Sequence, residues 1–105
     1  MAYRYRGLSK YKLSQPKEAI KDFSKAISID SEYGEAYVNR SIASIALENY
    51  EIAIQDCDEA IRINPHNVEA LVVRALAKNR LGVDSFVEDL ERVIHLNLRF
   101  PKINP

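Results

Sequence analysis

A chain of 105 residues, 47% hydrophobic and 29% charged, suits one folded domain and argues against disorder. Fifteen basic residues balance fifteen acidic ones, so no global field favours nucleic acid or an anionic surface, and no run of about 18 apolar residues is present to span a bilayer. Three glycines, four prolines and no tryptophan leave little for a turn-rich β fold, and the lone Cys57 forbids an intrachain disulfide.

The charge is unevenly spread. Residues 1–25 hold seven Lys/Arg against two acids, and residues 30–70 hold nine acids against two arginines. Met1 is followed by charged and aromatic residues rather than an apolar stretch, which predicts no signal peptide and a cytoplasmic location.

In chain order, the three-and-four spacing of apolar residues predicts six helices, near 3–14, 17–29, 35–47, 50–63, 68–81 and 85–96. Gln15-Pro16 opens the second, where proline is tolerated because a first-turn N–H has no partner. Asn49 is placed to cap the fourth, and Pro65 follows its end. Gly82 ends the fifth, and Ser85-Phe86-Val87-Glu88 reads as a capping box for the sixth. Pro101 and Pro105 predict a non-helical tail over 98–105.

The helices repeat. A shift of 34 residues lays Ala2, Tyr3 and Arg6 on Ala36, Tyr37 and Arg40, and Ala19, Ile20, Asp22, Ala26 and Ile27 on Ala53, Ile54, Asp56, Ala60 and Ile61. A second shift lays Glu35, Ala36, Val38, Arg40, Ala43 and Leu47 on Glu69, Ala70, Val72, Arg74, Ala77 and Leu81. Ala19, Ala26, Ala53 and Ala60 recur where two helix axes must approach closely. With Tyr37, Ser41 and Pro65 at their places, these residues resemble the tetratricopeptide repeat (TPR) family. The resemblance implies an all-α fold, a right-handed α-α superhelix of three antiparallel helix pairs. Residues 1–97 form one domain, with repeats at about 1–33, 34–67 and 68–97. The third unit departs: Leu71 replaces the aromatic, Phe86 and Val93 replace the two alanines, and its linking turn is one residue short.

No phosphate loop, metal-ligand spacing or nucleophile motif is present, so no catalytic residue, cofactor site or metal site is assigned and no enzyme activity is expected. His66 and His95 lie too far apart in sequence to suggest a site, and Cys57 reads as a small apolar core residue. Arg6, Arg40 and Arg74 are spaced by 34, with Asp22, Asp56 and Asp89 in the paired helices. They read either as a ladder for an acidic ligand or, with acids repeating in step, as internal pairs. Lys17, Lys21 and Lys25 form a stripe that reads as a solvated face.

The resemblance also implies an inner groove for a peptide or protein segment. Its family-matched places are Arg4, Tyr5, Leu8, Tyr11 and Lys12, then Val38, Asn39, Ile42, Ile45 and Ala46, then Val72, Val73, Leu76, Asn79 and Arg80. Some family members hold the acidic C-terminal tails of heat-shock chaperones through a clamp. Only Arg4 and Asn39 match it here, while Leu8, Glu69 and Val73 do not, so a chaperone tail is disfavoured. The expected partner is a protein or peptide, not nucleic acid and not a membrane. A self-assembly module, or one part of a larger TPR scaffold, stands as the alternative.

Overall fold

A computed structural model describes residues 15–99. They form five helices: α1 (Pro16–Ile29), α2 (Gly34–Ala46), α3 (Tyr50–Ile63), α4 (Val68–Leu81) and α5 (Phe86–Arg99). Among the described residues there is no strand. The predicted helix over 3–14 lies outside them, as do residues 100–105 of the predicted tail.

Local chemistry sets the ends. Pro16 occupies the first turn of α1, and the Ala19 N–H donates to the Gln15 carbonyl at 3.0 Å. The turns after α1 and α3 are built alike. The Asp30 and Asn64 N–H groups close the helices onto the Ala26 and Ala60 carbonyls, both at 2.9 Å. Their side-chain oxygens then accept from the Glu32 and His66 N–H groups, both at 3.0 Å. After α4, Gly82 adopts a left-handed conformation at φ 77°, with its N–H on the Asn79 carbonyl and the Val83 N–H on Lys78, a Schellman ending. Glu48 holds the same place after α2 at φ 62°, closing the same pair of bonds onto Ile45 and Ser44 without glycine's freedom.

Three predicted boundaries differ. Asn49 stands at the start of α3, but its side chain makes no capping bond. Its ψ of 73° falls short of the extended backbone that aims a capping oxygen down the helix. Asn67, at ψ 95°, does cap, accepting from the Ala70 N–H at 3.0 Å. No capping box forms before α5; successive main-chain bonds from Phe86, Val87 and Glu88 to Val83, Asp84 and Ser85 wind the chain in tightly instead. Finally, α5 runs through Arg99, two residues into the predicted tail, because Pro101 restricts the residue before it and nothing earlier.

Connections of three or four residues turn each helix back on the one before it. Each helix packs on the next, and α2 also packs on α4, whereas the backbones of α1 and α3, and likewise of α3 and α5, stand further apart. First helices of successive units therefore stand side by side as one layer, with the second helices splayed behind them. Between the layers Ala19, Ala53 and Ala60 are fully buried, which permits close approach of the axes. One core cluster joins Tyr37, Val38, Cys57, Ala60, Ala70 and Val73, and a second joins Ala19, Phe23 and Ala43. Ile42 of α2 packs against both.

Candidate functional site

Two of the repeating arginines, Arg40 and Arg74, form internal pairs. Arg40 forks onto Asp56 (Nε–Oδ2 2.9 Å, Nη2–Oδ1 2.8 Å), and Arg74 forks onto Asp89 (3.0 and 2.7 Å). The first pair is separated by 16 residues and the second by 15, which is the predicted one-residue shortening of unit three. The remaining guanidinium nitrogen reaches back to the preceding unit. Arg40 Nη1 donates to Ser24 Oγ at 3.0 Å, and Arg74 Nη1 donates to Asp58 Oδ1 at 2.7 Å. Each arginine thus ties three helices together, a role the sequence reading missed because Ser24 and Asp58 differ in type although they are 34 apart. Arg6 lies outside the described residues.

Electrostatics fit that role. Burial works to raise the Asp89 pKa, but the hydrogen bonds and charges of Arg74 and then Lys78 outweigh it and hold the carboxyl below its usual 3.8. The hydrogen bond to Asp56 raises Arg40 against the opposing effect of burial. Cys57 is buried, and burial pushes its thiol up to about 12 despite a hydrogen bond with Ser41, so it is a core residue rather than a nucleophile.

The first helices α2 and α4 stand in contact as one layer. Of the expected groove residues, Val38, Asn39 and Val73 are buried and belong to the packing, which removes them from the accessible lining. The side-by-side contact of α2 and α4 covers residues that the helical period alone assigns to an open face. Ile42 and Ile45 are half-buried and packed on the core. Leu76, Asn79 and Arg80 are exposed, as are Ala46 and Val72. Arg4, Tyr5, Leu8, Tyr11 and Lys12 lie outside the described residues. Of the expected apolar places on α2 and α4, Ile42 and Ile45 therefore keep partial exposure and Val72 and Leu76 stay exposed.

Lys17, Lys21 and Lys25 are exposed on α1. His66 and His95, set apart by sequence distance, share the wall of one open recess of about 610 Å³, together with Arg74, Asp89 and Arg92. Arg74 and Asp89 are already bound to each other there. Among the described residues no group of three or more His, Cys, Asp or Glu side chains could hold a metal ion. No described helix is long and apolar enough to cross a membrane.

Helix pairs repeating at 34 residues, with alanines at the crossing points and first helices in one layer, define an all-α repeat solenoid. Two tetratricopeptide repeat family models match residues 6–33 and 34–67, together more than half of the chain. The chain belongs to the TPR family. Among solved structures, the second TPR of Spaghetti (RPAP3) bound to the HSP90 peptide SRMEEVD is similar, at 27% identity and TM-score 0.82, covering 90% of this chain and 89% of that one. The TPR2B domain of yeast Sti1 in complex with an Hsp70 peptide is similar at 27% identity and TM-score 0.84, covering 91% and 78%. The Arabidopsis OM64 TPR domain also gives 27% and 0.84, covering 91% and 80%. No curated protein sequence matches the chain.

Proposed function

We propose that this protein is a non-catalytic adaptor whose 1–97 region binds a peptide or protein segment along the inner α2–α4 layer. The observation that carries the reading is that Val72 and Leu76 remain 43% and 40% exposed beside half-buried Ile42 and Ile45, on the layer formed by first helices. Apolar surface held open on a rigid scaffold is a binding feature, and each large anchor buried there contributes roughly 1.5–3 kcal/mol before ordering costs. Similar TPR domains bind chaperone peptides, which supports a peptide ligand in general.

The expectation that a chaperone tail is disfavoured gains no support from those neighbours, so the acidic peptide is one arm of the test. Fluorescence anisotropy with labelled SRMEEVD and with an apolar amphipathic helix would be run on the wild type and on Leu76→Glu. Binding of the apolar probe, weakened at least about tenfold by the substitution, is the expected result. Capture of the acidic probe alone, indifferent to Leu76→Glu, would replace the apolar strip with a carboxylate site. Capture of neither would overturn the reading.

A further inference from the structure

The second helices α1 and α3 each carry one apolar stripe that the next unit covers, and among the described residues nothing covers that stripe on α5. In α1 the stripe is Ile20, Phe23 and Ile27, with Phe23 buried and both isoleucines half-buried. In α3 it is Ile54, Cys57 and Ile61, with Cys57 fully buried and both isoleucines half-buried. One repeat on, allowing for the residue lost in the turn, the same places in α5 are Val87, Leu90 and Ile94, exposed by 46%, 39% and 60%.

The polar half of the interface repeats as well. Ser24 stands two residues after Asp22, and Asp58 two after Asp56, and each accepts a hydrogen bond from the arginine of the following unit. Two residues after Asp89 stands Glu91, exposed and without an ion pair among the described residues. The α4–α5 end face is therefore an acceptor of the same design as the two interfaces inside the chain.

Its occupant must supply what α2 and α4 supply, a large apolar side chain followed three residues later by arginine and then a small residue. Tyr37-Arg40-Ser41 and Leu71-Arg74-Ala75 are such sets, and the sequence holds one more, Tyr3-Arg6-Gly7, in the same register. That set lies in the basic region of residues 1–25, while the start of α5 presents Glu88 and Glu91, so the charges are complementary. We propose that the α4–α5 end face docks the first unit of a second copy of this chain, head to tail, with Glu91 accepting Arg6 of the incoming copy. The contact uses two different faces, so it builds a head-to-tail series, open or closed into a ring, instead of a two-fold dimer.

The test is light scattering after size exclusion across a concentration series. The wild type is expected to rise steadily above the 12.0 kDa of one chain as concentration increases. Glu91→Arg should weaken association about tenfold or more, and adding Arg6→Glu to that variant should restore it. Arg6→Glu also disturbs the arginine of the first unit, so Ile94→Glu reads the apolar half separately at an exposed site. Association lost in Ile94→Glu with helicity unchanged by circular dichroism supports the proposal. A monomer at every concentration overturns it and leaves the face to another occupant, such as residues 100–105. Association indifferent to both Glu91→Arg and Ile94→Glu also overturns it, because a different surface would then be in use. Binding of peptide to the α2–α4 layer is a separate readout that neither variant should change.

Discussion

Glu48 and Gly82 occupy equivalent places after α2 and α4, and both adopt a left-handed backbone. A residue with a Cβ is strained there by roughly 1–2 kcal/mol, whereas glycine is not. Glu48→Gly is therefore expected to raise stability by about 1 kcal/mol, after allowing for the extra freedom of glycine in the unfolded chain. Gly82→Ala should lower it by about the same amount, and since no atom stands within 4 Å of the added Cβ the loss is conformational rather than steric. Chemical denaturation of both variants checks the pair, and a neutral Glu48→Gly would show that the turn after α2 relaxes in solution. The glycine was legible in the sequence because it is the residue this place prefers. Glu48 was not, since nothing about glutamate announces positive φ.

Asp89 makes a pH prediction at the same scale. Its folded pKa is lowered below 3.8, so the charged form is bound more tightly in the folded state. The stabilisation it contributes is fully present above that value and is lost as pH falls through the lower, folded pKa. Asp89→Asn should cost about 2 kcal/mol near neutral pH, with the gap to the wild type narrowing below about pH 4. A gap that stayed constant down to pH 2 would show that the fork with Arg74 acts by shape alone.

At the scale of helices, the period of 34 made α1 to α4 readable to within a residue of their ends. It also offered the pairing of Arg40 with Asp56 and of Arg74 with Asp89 as one of two readings, and the structure shows both pairs. What it did not give was the third contact, from each arginine back to Ser24 or Asp58. A repeat is recognised by identities, and this place varies in residue type while keeping its geometry. The helix cap was misplaced for a related reason: Asn49 and Asn67 both precede helices, and residue type alone does not say which side chain caps. The back-contacts predict coupling between units. In a double-mutant cycle, Arg74→Ala and Asp58→Ala should show an interaction of about 0.5–1 kcal/mol, small because Asp58 is 55% exposed. Arg74 with Asp89, whose side chain is 5% exposed, should show a coupling about twice as large or more. Equal couplings would mean that solvent screens both contacts alike.

Across the whole molecule, the repeat placed the first helices in one layer but did not say which of their residues stay accessible. Helical period assigns a side chain to a face, and only the neighbouring helix decides whether that face stays open. Ile42 and Leu76 make the distinction measurable, since they are 34 apart and the sequence treats them as equals. Ile42 packs against both core clusters, whereas Leu76 is 40% exposed at the far side of the layer. A charge pressed against the core without a partner is destabilising even at a half-buried place, so Ile42→Glu should lower stability by about 2–4 kcal/mol. Leu76→Glu should change it by less than about 1 kcal/mol. Thermal and urea unfolding followed by circular dichroism separate the two outcomes. If both variants unfolded alike, the inner layer would be core throughout and the peptide-binding surface would have to lie elsewhere. If Leu76→Glu alone kept its stability, it would be the substitution with which to probe binding, because a loss of ligand could then be assigned to the surface and not to the fold.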